Sequence, residues 1–463
     1  MTTLRQGLRI TAAATLLVAV APALALDPLS GLLSEPGSAG LGAVVRSARS
    51  PYLGGGQRND LVPLYLFEGK RLFLHASRGG IKLGEDDTDR VDLFFDYRFE
   101  GFPSDRIPLS LAGMEARGPS TDLGLSLRHR SPWGTVGAEF VHDALDINRG
   151  SEVRLSYSYD WASGRLHLRP ALTVSARSAN LNDYYYGVRP DEATATRPAY
   201  QPGAGMSTWL GLYGAYDLSG GWRLLGGAGV TRFSAGVRHS PIVGNASQPE
   251  LLLGLAYDFG SYRELPPEYG SPLYVKLTYG RATDCNLINT MTLRCTSTRT
   301  VDNTRIAAVE LGKPFMVEVN GWPLDFVGYV GLLHHDENEL QANSMQLDAY
   351  MKAYYYGFPW RDRVKTRLGF GAGLSLAQRV PFVEARDLAR RGRNSSRLLN
   401  YLDPSIDISV GDLLGARSLA NTFAGFGVSH RSGIFGSSRF LGNVNGGSYP
   451  VTTGRPCLRL PSV

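Results

Sequence analysis

His430 and Ser432 flank Arg431 at the end of a strand-like run. Residues two apart on a strand share a face. An imidazole beside a hydroxyl is the minimum arrangement for an activated serine nucleophile. Such a base also needs an acid to orient it, and the chain holds no Asp or Glu after Asp412. Asp407 or Asp412 could supply the acid only from another part of the fold. The alternative is a rim or lumen pair without catalysis. His334-His335-Asp336-Glu337 has the composition of a metal site. Adjacent strand residues point to opposite faces, however, and this run follows a strand, so a polar loop is expected there. Cys285 and Cys295 lie ten apart in the polar segment 283–300. In an oxidising compartment a disulfide closing that loop is expected, with two free thiols as the alternative. Cys457 is left over, and no His/Cys cluster accompanies the pair. No phosphate-binding glycine loop, nucleotide fingerprint or CxxC occurs, so neither cofactor nor metal is expected.

The elements that must hold these residues are strands. Val91 to Glu100 reads Val-Asp-Leu-Phe-Phe-Asp-Tyr-Arg-Phe-Glu, placing Val91, Leu93, Phe95, Tyr97 and Phe99 on one face and mostly charged residues on the other. The pattern recurs. Leu123, Leu125 and Leu127 alternate with Gly124, Ser126 and Arg128. Val153 to Asp160 alternates likewise, turns through Trp161-Ala162-Ser163-Gly164 and returns along Leu166 and Leu168, a hairpin with a short connection. Longer polar stretches such as Arg177 to Gly205 read as loops at the opposite end. Greasy toward lipid and polar toward the lumen is how a transmembrane β-barrel is written.

Export fits this reading. Arg5 and Arg9, the apolar run Ile10 to Val20 and the small-x-small site Ala23-Leu24-Ala25 predict a cleaved signal peptide over residues 1–25. No later stretch approaches the roughly 20 apolar residues of a membrane helix. Glycine (55) suits tight turns and tyrosine (23) the interfacial girdles. Tyr184 to Tyr186 and Tyr354 to Tyr356 are expected as girdle or lumen aromatics. The net charge of +6 is spread over 463 residues without a basic run interleaved with aromatics, which excludes a nucleic-acid reader and leaves basic loops that could meet lipopolysaccharide phosphates.

Up to Gly260 the chain resembles the MipA/OmpV family of outer-membrane proteins. The likeness rests on a set of motifs. Gly40-Leu41-Gly42-Ala43-Val44 leads to Ser50-Pro51-Tyr52-Leu53-Gly54-Gly55-Gly56, and Pro63-Leu64-Tyr65-Leu66-Phe67-Glu68-Gly69 follows. Leu111-Ala112-Gly113-Met114 precedes Asp183-Tyr184-Tyr185-Tyr186-Gly187-Val188. Arg197-Pro198-Ala199-Tyr200, Pro202-Gly203-Ala204-Gly205, Ser240-Pro241-Ile242-Val243 and Gly254-Leu255-Ala256-Tyr257-Asp258-Phe259 complete it. The resemblance implies an outer-membrane barrel and an association with murein-synthesising and murein-cleaving enzymes, including lytic transglycosylases, with adhesion or uptake in some members. The setting of His430 and Ser432, with Glu310-Leu311-Gly312-Lys313-Pro314 and Gly331 upstream, resembles PagL-type lipid A deacylases, which implies an acyl-ester hydrolase with Ser432 as nucleophile and His430 as base.

The fold expected is therefore all-β, an antiparallel transmembrane barrel of the Gram-negative outer membrane. Residues 26–260 form one MipA/OmpV-like barrel, 261–272 a proline-rich linker, and 273–463 a second barrel-like region of about eight strands. One continuous larger barrel is the alternative. Strands are expected at Leu273–Tyr279, Thr304–Gly312, Leu324–Leu333, Met345–Phe358, Lys365–Ala377, Pro404–Gly411 and Leu419–His430. Glu384 to Leu402 has helical spacing among five arginines, as a loop helix lying on headgroups or packed on the barrel rim. An eighth, closing strand is required near 446–463, where Pro450, Pro456 and Pro461 break the alternation. The function expected is a scaffold of the murein machinery; the alternatives are the lipid A or phospholipid hydrolase and a passive pore.

Overall fold

The computed structural model describes residues 38–432 apart from short stretches, among them 262–271, 286–288, 291–293, 296–301 and 391–396, together with the backbone of 445–455 and 457–459. The signal peptide expected over 1–25 and nearly all of the linker expected over 261–272 lie outside the described residues. No described helix is long and apolar enough to cross a membrane.

Two compact units divide the chain after Ser261. In the first, the strands follow one another as β1 (Ser38–Arg49), β2 (Gln57–Glu68), β3 (Leu72–His75), β4 (Arg78–Glu85), β5 (Asp89–Arg98), β6 (Ser120–Ser131), β7 (Gly134–Asp143), β8 (Ser151–Ser158), β9 (Trp161–Ser163), β10 (Leu166–Arg177), β11 (Gly205–Asp217), β12 (Trp222–Arg232) and β13 (Ser247–Ser261). Each is antiparallel to its neighbour, and β13 returns to β1 with Gly42 opposite Ala256. The ring closes with twelve strands, the short β9 lying against the start of β10. Closure leaves no unpaired edge, which lipid demands. Leu251, Leu253 and Leu255 on β13 are 62%, 64% and 41% exposed, whereas Glu250, Leu252 and Ala256 on the opposite face of the strand are buried. The exposed row is the lipid face.

Connections at one end are tight, such as 132–133 and 218–221. At the other end they are long: 50–56, 99–119, 144–150, 178–204 with helix α1 (Ala179–Tyr186), and 233–246 with helix α2 (Ala235–Arg238). In outer-membrane barrels the short turns are periplasmic and the long loops extracellular.

The second unit contains β14 (Pro272–Arg281), β15 (Arg305–Met316), β16 (Leu324–Asp336), β17 (Ser344–Tyr355), β18 (Thr366–Ala377), β19 (Leu398–Ser409) and β20 (Phe423–Ser432), seven consecutive antiparallel strands. The backbone of β21 (Asn445–Arg455) pairs with β20 on one side and β14 on the other, and β22 (Cys457–Arg459) continues it along β14. An eighth strand thus stands where closure required one.

The helix expected over 384–402 is shorter and starts earlier. Helix α3 spans Phe382–Arg390, and 398–402 belongs to β19. The spacing of Leu398, Leu399 and Leu402 suits either period, and pairing with β18 and β20 settles it as strand. Val383 of α3 packs on Ala282, Ile306, Ala308 and Leu333, so the helix sits against one end of the barrel. The run Leu419–His430 begins later as strand, at Phe423, after a 3-10 turn at Arg417–Leu419; helix α4 (Val410–Leu414) precedes that turn.

Candidate functional site

The inward face of the first barrel is charged, and its charges are paired. Arg98 donates to Asp122 and Glu152 at 2.6 Å each and to Glu100 at 2.9 Å. Arg154 bridges Asp96, Glu139 and Glu152. Glu68 receives His75 at 2.6 Å, Lys82 at 2.7 Å and Arg90. Arg46 meets Glu250 at 2.7 Å. These groups come from strands far apart in sequence but adjacent around the ring. An unpaired charge cut off from water costs several kcal/mol, so the pairs must form together.

The network lines a cavity of about 690 Å³. It runs from Asp86, Asp87 and Asp89 at the tight-turn end to Tyr186 and Phe233 under the long loops. There it is roofed by an apolar cap: Tyr52, Phe102, Leu111, Met114, Leu181, Tyr185, Tyr186, Val188, Phe233, Val237 and Ile242, all buried. Ser178 caps α1 by accepting from the Leu181 N–H. Tyr52 packs edge-on against Phe102, with ring centroids 4.8 Å apart, and its hydroxyl donates to the Tyr185 carbonyl at 3.2 Å. The Tyr186 hydroxyl donates to Glu100 at 2.8 Å, joining cap to network. Tyr184 to Tyr186, expected as girdle or lumen aromatics, therefore belong to the cap. Their helix faces inward onto other loops, and a tyrosine run cannot by itself distinguish a cap from a girdle.

A polar latch holds two cap loops together. Arg117 donates to Glu192 at 2.5 Å, and the N–H groups of Glu115 and Arg189 donate to the same carboxylate at 2.9 and 3.0 Å. Burial pushes the Glu192 carboxyl up, but Arg117 and those two N–H donors outweigh it and hold the group below the usual carboxylate range.

The interior of the second barrel is filled. The Lys276 and Lys352 ammonium groups both donate to one Asp403 oxygen, at 2.6 and 2.7 Å, and Lys276 also meets Glu310 at 2.8 Å. Tyr350 donates to Glu310, while Tyr329, Tyr354 and Tyr401 complete a buried aromatic cluster. Eight strands enclose only enough room for side chains, whereas twelve leave space.

His430 is buried and lies opposite Leu402 on β19, on the face that carries the exposed Ile406 and Ile408. Ser432 lies opposite Asn400; its side chain is outside the described residues. Asp407 sits opposite Gly425, five residues further along β20 and on the inward face, about 16 Å away along the strand. Asp412 is in α4, accepting from the Lys365 N–H at the opposite end of the barrel. Neither carboxylate stands beside His430. Arg431 points inward, donating to the Arg397 carbonyl and lying 3.6 Å from Glu384.

His334, His335 and Asp336 are the last residues of β16, so the loop expected there begins only at Glu337. His335 is buried and bonds Gln346, and Glu337 accepts from the Phe382 N–H at the start of α3. No group of metal-ligating side chains occurs among the described residues. Cys285 and Cys295 are joined in a disulfide.

Trp209, Arg46 and Glu250 carry no motif that marks them in the sequence. Their inward positions follow from strand alternation, and Gly211 and Gly229 beside Trp209 were a further available signal.

A closed ring with a lipid-facing apolar row, a paired polar lumen and a loop cap defines an outer-membrane β-barrel protein. Residues 41–259 match the family model described as MltA-interacting protein MipA. The first unit thus carries a likeness to the MipA/OmpV family along nearly its whole length. The chain is 36% identical over 150 residues to the outer membrane protein Omp26La of Vibrio anguillarum, covering 32% of this chain and 58% of that protein. It is 35% identical, with the same coverage, to the outer membrane protein OmpV of Vibrio cholerae serotype O1. Against the MltA-interacting protein of Escherichia coli K12 it is 28% identical over 238 residues, 50% of this chain and 94% of that one. The match spans a little over half the length of the Vibrio relatives.

Proposed function

We propose that this protein is an envelope scaffold that holds murein-synthesising and murein-cleaving enzymes at the outer membrane. The observation that carries the reading is the match to a relative named for interaction with MltA, along nearly all of that relative's length. The first unit supports it physically. A barrel braced by buried ion pairs and capped by packed loops is a rigid body, suited to presenting a fixed surface. The cap argues against a passive pore. Its partners in the membrane would be outer-membrane lipid along the leucine rows and lipopolysaccharide at the basic loops. The test is binding between the purified protein in detergent and purified lytic transglycosylases and murein synthases, alongside affinity capture from solubilised envelopes. Retention of one of these enzymes is expected; capture and direct binding that both come up empty overturn the scaffold.

A second reading has one specific support. His430 shares a sheet face with Leu402, Ile406 and Ile408 of the neighbouring strand, the side that meets acyl chains. An acyl-ester hydrolase acting on lipid A or phospholipid would use Ser432 as nucleophile and His430 as base. Incubation with lipopolysaccharide should then release fatty acid from the unaltered protein and none from Ser432→Ala. Absence of release from the unaltered protein removes this reading.

A further inference from the structure

The wall formed by β10, β11 and β12 differs from the rest of the lumen. Here the cross-strand row is Thr173, Trp209 and Thr231, with Gln248 next on β13. The Trp209 indole lies flat over two glycines. A Cβ on Gly211 would stand 2.3 Å from the ring, and one on Gly229 would stand 2.9 Å from it. Its N–H donates to Glu250 at 2.9 Å, and Arg46 holds Glu250 in turn. The ring orientation is therefore fixed before any ligand arrives. The ring also stacks against Tyr213, with centroids 5.5 Å apart and planes 17° from parallel, and it borders the cavity.

Around this platform the polar side chains are unengaged. Among the described residues, Thr173, Ser175, Thr231 and Gln248 make no side-chain hydrogen bond, although all four line the cavity. They offer hydroxyl and amide groups able both to donate and to accept. Deeper in the lumen the charged groups are, by contrast, engaged with one another, Arg154 with Asp96, Glu139 and Glu152, and Arg46 with Glu250, while Asp87 and Arg130 stand exposed at the tight-turn end. A charged ligand would have to break such pairs, whereas a neutral one would not. A fixed aromatic face ringed by ambivalent hydrogen-bonding groups matches a molecule with an apolar C–H face and an equatorial fringe of hydroxyls. The cavity volume lies within the range of about 300–1,000 Å³ typical of small-molecule sites.

We infer that the lumen of the first barrel binds a neutral saccharide of about disaccharide size, entering from the tight-turn end and stacking on Trp209. This site goes beyond the scaffold reading and does not depend on it, since capture of murein enzymes and saccharide binding are read separately.

The test is calorimetric titration of the purified full-length protein in detergent with maltose, cellobiose and N,N′-diacetylchitobiose, with glucose 6-phosphate as a charged comparison. At least one neutral disaccharide should bind. Trp209→Leu should weaken it about tenfold. Thr231→Val, nearly isosteric and so safe for folding, should weaken it about threefold by removing one hydrogen-bonding group. Each variant is checked for the heat-dependent gel mobility of a closed barrel. The inference is overturned if no neutral disaccharide binds at millimolar concentration, if only the phosphorylated sugar binds, or if binding is unchanged in the folded variants.

Discussion

At the scale of single residues, Glu192 and Asp403 each receive more than one donor, and the consequences differ. Glu192 sits in the cap, where Arg117 and two backbone N–H groups hold its carboxyl below the usual range against the opposing effect of burial. A carboxyl whose folded pKa is depressed stabilises the fold above its unfolded value, about 4.3, and loses that contribution as the pH falls through the folded value. The cap should therefore be indifferent to pH between 7 and 5 and loosen only under stronger acid. Single-molecule conductance in planar bilayers checks this: opening events should be rare at neutral pH, rise below about pH 4, and become frequent at neutral pH in Glu192→Gln. Asp403 is fully buried and shared by two lysines. Asp403→Ala leaves two ammonium groups facing each other without their carboxylate, a loss of about 3–5 kcal/mol. The second unit of that variant should unfold at a lower temperature or denaturant concentration, while Lys276→Met in the same background should recover part of the loss.

Among the elements, the strands were legible and the caps were not. Rows such as Leu251, Leu253 and Leu255 are written in the sequence because each residue meets lipid directly, whatever its neighbours do. The lumen is different. Arg46 finds its partner Glu250 across 204 positions, and Arg98 gathers Asp122 and Glu152 from two further strands. No local pattern reports such pairings before the ring is closed. Helix α1 was unreadable for a related reason, since Tyr184 to Tyr186 gain their meaning only from Phe102, Phe233 and Val237 on other loops. Of the candidate pair His430 and Ser432, the shared strand was legible, but the distance to Asp407 and Asp412 depended on strand register. The cap yields a prediction at its own scale. Because the lumen reaches Tyr186 and Phe233 and stops there, replacing residues 179–186 by a flexible glycine-serine segment should turn a silent barrel into a conducting one. Unchanged conductance in a correctly folded variant would mean that another element closes the lumen.

For the molecule as a whole, the hydrogen-bond pattern resolves into two rings rather than one. β13 returns to β1 within the first unit, and β21 meets β14 within the second, so neither sheet needs the other to satisfy its backbone. Their interiors are also self-contained, one braced by pairs such as Arg98 with Glu152, the other filled by Lys276, Asp403 and four tyrosines. We propose on these grounds that residues 26–260 and 273–463 are separate folding domains. Each expressed alone should refold in detergent and show heat-dependent gel mobility, with β-rich circular dichroism. The sum of the two spectra should match that of the full chain within error. If either fragment stays unfolded or aggregates while the full chain refolds, closure within each unit is not sufficient for stability and the chain folds as one body. The disulfide between Cys285 and Cys295 lies wholly inside the second fragment, so reduction should alter that fragment and leave the first untouched.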